Sequence, residues 1–70
     1  MIREVLDELS DREREVLRYI VRGRQNKEIA HSLVIAESTV ETHLGNIYRK
    51  LNVGNRTEAA IIALRSGLEI

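Results

Sequence analysis

The feature that most constrains the fold is the segment 25–51, QNKEIAHSLVIAESTVETHLGNIYRKL, which predicts two short helices joined by a tight turn. In the second of these helices, apolar residues recur at spacings of four, three and four, at Val40, Leu44, Ile47 and Leu51. At 3.6 residues per turn, this spacing places them on one helix face. Two short helices arranged in this way are typical of a helix-turn-helix, a motif that reads DNA.

The opposite face of the same helix is small and polar. It carries Ser38, Thr42, Gly45 and Arg49, flanked by Glu41 and Asn46. A helix that only needs to be soluble usually has long charged side chains there. Short hydrogen-bonding groups and a glycine instead allow the backbone to approach another surface closely. We therefore predict that this face enters the major groove of double-stranded DNA.

Local start and stop signals predict four helices and no strand, so the predicted fold class is all-α. Side chains suited to cap a helix start occur at Ser10, Asn26, Ser38 and Asn55, with Glu13, Glu41 and Glu58 completing capping boxes. Stop signals occur at Gly23, at Asn52-Val53-Gly54 and at Gly67. The predicted helices span about 10–22, 26–33, 38–52 and 55–66, and the apolar turn residues 34–36 are expected in the core.

Seventy residues make one small domain, which we place at residues 9–70. Residues 1–8 have two interpretations that the sequence leaves open. They form either part of a short amphipathic helix, with Ile2, Val5, Leu6 and Leu9 on one side, or the remnant of a linker.

Composition excludes several classes of protein. The chain has no cysteine, which excludes disulfides and thiolate metal sites. It also has no apolar run near the roughly 20 residues that span a bilayer. We predict a cytoplasmic protein with no membrane partner. The net charge is zero and acidic residues are concentrated in residues 1–15, so one copy is expected to bind DNA modestly and to need a second.

No pattern indicates an enzyme. His31 and His43 lie on different predicted helices, and neither has a carboxylate or a cysteine at ligand spacing. No Ser-His-acid arrangement is indicated. We therefore predict no catalysis, no metal, no cofactor and no small-molecule ligand within this chain.

The fourth predicted helix contains AAIIAL at residues 59–64, which is apolar all round. If Ala59, Ile62 and Ala63 face the core, an exposed apolar patch remains at Ile61, Leu64 and Leu68. Exposed apolar patches often mark the surface that binds a partner. We predict a homodimer through this helix, with Arg65 beside the patch. The alternative is that these residues cover the core from another angle.

The chain from Leu9 to Leu68 resembles the LuxR-type helix-turn-helix domain, also called the GerE or FixJ/NarL output domain. The resemblance lies in LSDREREVL at 9–17, NKEIA at 26–30, ESTVETHL at 37–44, NIYRKL at 46–51 and NRTEA at 55–59. It implies a four-helix DNA-binding domain of a transcription regulator, such as the output domain of a two-component response regulator. In this family the third helix is the recognition helix, and the fourth forms dimers on inverted-repeat sites.

The resemblance, together with the helix faces, gives a set of expected site residues. The expected base contacts are Glu41, Thr42, Gly45 and Arg49. The expected phosphate contacts are Asn26, Lys27, Ser38, Thr39, Asn46, Lys50, Asn55 and Arg56. The expected dimer interface comprises Ile61, Leu64, Arg65 and Leu68.

Glu41 departs from the family, in which many members carry lysine or arginine at this position. Two roles stay open for it. It caps the third helix in a box with Ser38, which is the interpretation we favour, or it accepts a hydrogen bond from cytosine N4. Ala36 is a second departure, because the family often has a serine cap there, and Ser38 is expected to substitute for it.

A different class of function is a protein-interaction module of the same fold, which binds RNA polymerase or another regulator. The zero net charge, Glu41 and the apolar segment 59–64 favour this alternative. The fourth region of a sigma factor shares the REREVL and EIA segments, but the helix after Asn55 argues against it.

Overall fold

The computed structural model describes residues 6–68, and these form four helices without a strand. The helices are α1 (Asp11–Val21), α2 (Asn26–Leu33), α3 (Glu37–Leu51) and α4 (Arg56–Arg65). The predicted all-α, four-helix fold is confirmed. The predicted contributions of Ile2 and Val5 to an amphipathic helix lie outside the described residues.

The starts of α1 and α4 follow the predicted capping patterns. The Ser10 hydroxyl accepts the Glu13 N–H at 3.1 Å, and the Glu13 carboxylate accepts the Ser10 N–H at 2.9 Å. At α4, the Asn55 side-chain oxygen accepts the Glu58 N–H at 2.9 Å. These bonds satisfy N–H groups that have no partner within the helix.

Two predicted caps are wrong by one or two residues. Helix α2 follows an N-cap at Gln25, so Asn26 is its first helical residue. Helix α3 follows an N-cap at Ala36, and Ser38 already lies in its first turn. The physical reason is that the Ala36 carbonyl accepts the Val40 N–H at 3.2 Å, which closes the first turn before Ser38. The predicted Ser38–Glu41 capping box is therefore absent.

The core lies where three helices surround α3. Helix α1 packs against α3 and α4, and α2 packs against α3. The fully buried side chains are Val16, Leu17, Ile29, Val40 and Ile47. The apolar face predicted for α3 is buried as expected, so the position of its opposite face is determined by the core.

Two apolar residues lie elsewhere than predicted. Val34, at the end of α2, is 88% exposed and has left-handed backbone with φ 56°, so the turn is not buried as a whole. Leu68 is only 9% exposed and joins the core. After Gly67, at φ 79°, the chain turns back and the Leu68 N–H donates to the Ala63 carbonyl at 3.0 Å. This turn removes Leu68 from the predicted exposed patch.

Candidate nucleic-acid interface

One face of α3 is open to solvent along most of its length. This α3 outer face consists of Ser38, Glu41, Thr42, Gly45 and Arg49, all of which are exposed. It brings together the four residues that were predicted to contact bases. At 1.5 Å per residue it extends about 16 Å, a length suited to the major groove.

Gly45 lies in the middle of α3, at a position where a larger residue would fit. A Cβ atom added there would meet no heavy atom within 4 Å, and its φ is not positive. Glycine in a helix interior is about 1 kcal/mol less favourable than alanine. Neither packing nor backbone geometry in the described residues therefore requires a glycine at this position.

Thr42 and Arg49 present different hydrogen-bonding groups on the α3 outer face. The Thr42 hydroxyl donates to the Ser38 carbonyl at 3.1 Å, which leaves its oxygen lone pairs and its methyl group available. The Arg49 guanidinium donates to the Asn46 side-chain oxygen at 2.7 Å. Among residues 6–68 it has no carboxylate partner, so its charge is not compensated by an ion pair.

Glu41 does not cap α3, because the helix begins at Glu37. Among the residues that the structure describes, its carboxylate takes part in no hydrogen bond and no ion pair. The favoured sequence interpretation, a capping box with Ser38, is therefore wrong. The carboxylate is available to an external donor.

Four of the predicted phosphate contacts are exposed, namely Lys27, Ser38, Thr39 and Asn55. Lys27 has no carboxylate partner in the described part of the chain. With Arg24 and His31 it lines an open groove of about 480 Å³ beside α2. Glu28 also lines this groove and pairs with Arg24 at 3.7 Å, which leaves Lys27 as the lysine or arginine of the groove without a carboxylate partner among the described residues.

Lys50 forms an ion pair within the domain. Its Nζ donates to Oε1 of Glu13 at 2.8 Å, and the Glu13 side chain is almost completely buried. Burial raises the pKa of Glu13, but the hydrogen bonds from Lys50 and Ser10 and the Lys50 charge outweigh burial and leave that pKa below its ordinary value. Lys50 therefore joins the end of α3 to the start of α1, and its contact with a phosphate stays a prediction.

Arg56 also has internal partners. Its guanidinium donates to the Asn26 side-chain oxygen at 3.4 Å and, through a second nitrogen, to the Arg24 carbonyl. These bonds hold the start of α4 against the segment between α1 and α2. The side chain of Asn55 is likewise used, as the cap of α4. At these helix starts, backbone N–H groups are what a phosphate would meet.

The sequence interpretation missed the pairing of Lys50 with Glu13 and the bonds of Arg56. The Lys50–Glu13 pair joins residues 37 positions apart, and Arg56 lies 30 positions from Asn26. No local pattern signals such contacts. The only available sign was that Glu13 already belonged to a capping box.

Comparison with known proteins identifies the family. The sequence profile described as bacterial regulatory proteins of the luxR family matches residues 7–63. The chain belongs to the LuxR family. The predicted resemblance is thus confirmed, and the chain is a helix-turn-helix domain of a transcription regulator.

Individual relatives agree with membership of the LuxR family. The transcriptional regulatory protein LnrK of Bacillus subtilis is 49% identical over 67 residues, which are 96% of this chain and 30% of that protein. A nitrate/nitrite response regulator homologue of Haemophilus influenzae is 51% identical over 57 residues, 81% of this chain and 27% of its own length. The chain therefore spans less than a third of these relatives.

A solved structure shows the same fold. The response regulator ChrA of a heme-sensing two-component system superposes with a TM-score of 0.82 and 46% identity, over 87% of this chain and 30% of that one. At this identity the LuxR-family chain is similar to a response regulator in both sequence and fold.

Helix α4 of this LuxR-family domain exposes part of its apolar surface. Ile61 is 45% exposed and Leu64 is 54% exposed, and Arg65 lies beside them in solvent. An open groove of about 320 Å³ next to Ile61 is lined in part by Val53 and Ile62. Of the four predicted interface residues, only Leu68 is buried. Residues 6–68 include no helix long and apolar enough to cross a membrane.

Proposed function

We propose that this LuxR-family domain binds double-stranded DNA in a sequence-specific way, as the output part of a response regulator, with the α3 outer face in the major groove. The observation that carries the proposal is Gly45, an exposed mid-helix glycine that the fold does not require. A close-fitting external surface explains the missing side chain. The family and the relatives named as transcriptional regulators support DNA as that surface.

In this proposal Thr42 and Arg49 contact base edges. Thr42 offers an acceptor oxygen and a methyl group, which suits amino groups and thymine methyls in the major groove. Arg49 offers several donors, and its bond to Asn46 restricts its motion before DNA arrives. The phosphates on either side of the major groove are contacted by Lys27, Ser38 and Thr39. These contacts determine how deeply α3 enters the groove.

Equilibrium binding to fluorescent duplexes at several salt concentrations tests these roles. Lys27→Ala is expected to lower affinity for all sequences about equally and to reduce the salt slope by about one. Arg49→Ala is expected to weaken the preferred site more than a random duplex. The matched control is Arg12→Ala, since Arg12 is an exposed cation on α1 that pairs with Glu15. If Lys27→Ala and Arg49→Ala both bind like the control at low salt, the proposal fails.

The second part of the proposal is a homodimer through α4 on inverted-repeat sites. Ile61 and Leu64 leave an apolar patch exposed on a chain with no net charge, for which a second copy adds affinity. Two copies on one face of DNA place their half-sites about one helical turn apart.

Sedimentation of the chain at high concentration, with and without an inverted-repeat duplex, tests the dimer. Leu64→Asp is expected to give a folded monomer with weakened binding to the inverted repeat. Val34→Asp is the control for placing an acid at an exposed apolar position outside α4, since Val34 is 88% exposed and Leu64 is 54% exposed. A mass that does not differ between Leu64→Asp and wild type refutes this interface.

The exposed patch on α4 also fits the second candidate, an interaction module that binds RNA polymerase or another regulator. This candidate predicts that α3 substitutions leave partner binding intact and that DNA binding is absent or shows no sequence preference. The duplex measurements above distinguish the two functions.

A further inference from the structure

The carboxylate of Glu41, like that of Glu37 at the start of α3, differs from the carboxylates of the three glutamates that accept a backbone N–H at a helix start. Glu13, Glu28 and Glu58 each accept a backbone N–H at 2.7–2.9 Å. Glu41 accepts none, and no cation pairs with it within residues 6–68. It is thus an exposed anion whose hydrogen-bonding capacity is unused by the described fold.

The neighbours of Glu41 leave it accessible. Its neighbours three and four positions away on the helix are Glu37, Ser38, Leu44 and Gly45, none of which is a cation. Ser38 and Gly45 lie in line with it on the α3 outer face, and both are small. The Glu41 side chain is therefore longer than its neighbours Ser38 and Gly45 on the α3 outer face, and neither of them covers it.

We infer that Glu41 specifies a cytosine in each half-site by accepting a hydrogen bond from its N4 amino group in the major groove. The inference rests on the proposed function, since it requires the α3 outer face to meet base edges. It adds the identity of one base that this chain recognises.

The chemistry of base edges selects cytosine. An ionised carboxylate only accepts hydrogen bonds. Guanine presents N7 and O6, and thymine presents O4, which are all acceptors and repel a carboxylate. Adenine presents an amino donor beside its N7 acceptor, whereas cytosine presents the amino donor alone.

A carboxylate near phosphates adds specificity for one base but lowers the affinity for DNA of any sequence. Its charge repels the backbone of every duplex, so it weakens binding to all sequences. Glu41→Ala is therefore expected to bind random duplexes more tightly and yet to lose one base preference. A residue with no role in readout would show the first effect without the second.

Selection from a random-sequence duplex library, followed by sequencing, tests the inference. We expect wild type to prefer cytosine at one position of each half-site by at least about fivefold, which corresponds to one mismatch penalty. Glu41→Ala should reduce this preference to less than about twofold at that position only. Glu41→Gln should shift it towards adenine, because an amide can pair with both adenine N6 and N7.

The matched control is Glu37→Ala, which removes an exposed acid one turn earlier on α3 and should leave the motif unchanged. Circular dichroism melting verifies that each variant folds. A motif that is identical for wild type and both Glu41 variants overturns the inference and leaves the proposed function standing. A wild-type selection without any motif overturns the proposed function, and the inference falls with it.

Discussion

Replacing Gly45 by alanine should stabilise the domain and weaken DNA binding at the same time. The position is exposed, has no positive φ, and would give a new Cβ only open space. Alanine is then favoured over glycine by about 0.8–1 kcal/mol through helix propensity alone. In a domain of this size, the melting temperature should rise by roughly 4–8 °C.

The effect on binding follows from the same open position. If a DNA surface lies close to Gly45, a methyl group there displaces it or strains the contact, by analogy with overpacking at about 1–3 kcal/mol. The dissociation constant should then rise roughly 5- to 150-fold. Gly45→Leu should fold about as stably as Gly45→Ala, since both are good helix formers, but should bind more weakly still.

Thermal melts followed by circular dichroism and anisotropy titrations with the selected duplex measure the two effects on the same samples. The series Gly45→Ala, Gly45→Leu provides its own control, because stability stays nearly constant while side-chain size increases. Unchanged affinity in both variants would refute the close approach of DNA to Gly45. A lower melting temperature for Gly45→Ala would refute the conclusion that the fold does not need this glycine.

Four further substitutions test the structure itself by urea denaturation. Lys50→Met leaves the buried Glu13 carboxylate without its cation and should cost about 1–2 kcal/mol at pH 7, less than for a fully buried pair because Lys50 is partly exposed. The pairing holds the pKa of Glu13 below its ordinary value, so its stabilisation is present above the unfolded pKa of about 4.3 and is lost as pH falls through the lower folded pKa. The difference in stability between variant and wild type should therefore disappear below that folded pKa; a difference independent of pH would contradict this. Val34→Asn should stabilise by about 1 kcal/mol, because asparagine tolerates left-handed backbone better than a β-branched residue, and a loss of stability would count against strain at this residue. Ser38→Ala should change stability by less than about 0.5 kcal/mol, whereas Ser10→Ala should cost about 1 kcal/mol, and equal losses would mean that Ser38 caps a helix after all.

Much of the fold could be predicted from local signals. The cap at Ser10 and the stop at Gly23 depend on bonds and dihedral angles within a few residues, and both are confirmed. The buried face of α3 follows from helical periodicity alone. The family resemblance, carried by several segments at fixed spacing, is confirmed as well.

The differences from the sequence predictions arose where residues outside the local pattern decide the outcome. The Ser38–Glu41 pattern is locally a good capping box, but the turn after α2 starts α3 earlier. By helical periodicity alone, Leu68 would lie on the same exposed face as Ile61 and Leu64. The turn at Gly67 instead reverses the chain direction before Leu68. The pairing of Lys50 with Glu13 is a contact that only the fold brings about, so the sequence did not predict it.

The candidate site was predictable as a surface, whereas its individual roles were not. Glu41, Thr42, Gly45 and Arg49 share one exposed face because the apolar seam fixes their phase. Whether a side chain is available to bind DNA or is already bonded within the domain depends on tertiary contacts. Arg56 is an example, since its donors are used on the segment before α2.

The most direct test of the central claim is an amide chemical-shift titration of the isotopically labelled chain with a duplex of about 20 base pairs, long enough for two half-sites. The account predicts the largest changes at Thr42, Gly45 and Arg49 on the α3 outer face and at Lys27, with little change at Arg12 on α1. Largest changes on α1 or on the exposed side of α4, with the α3 outer face unaffected, would contradict it.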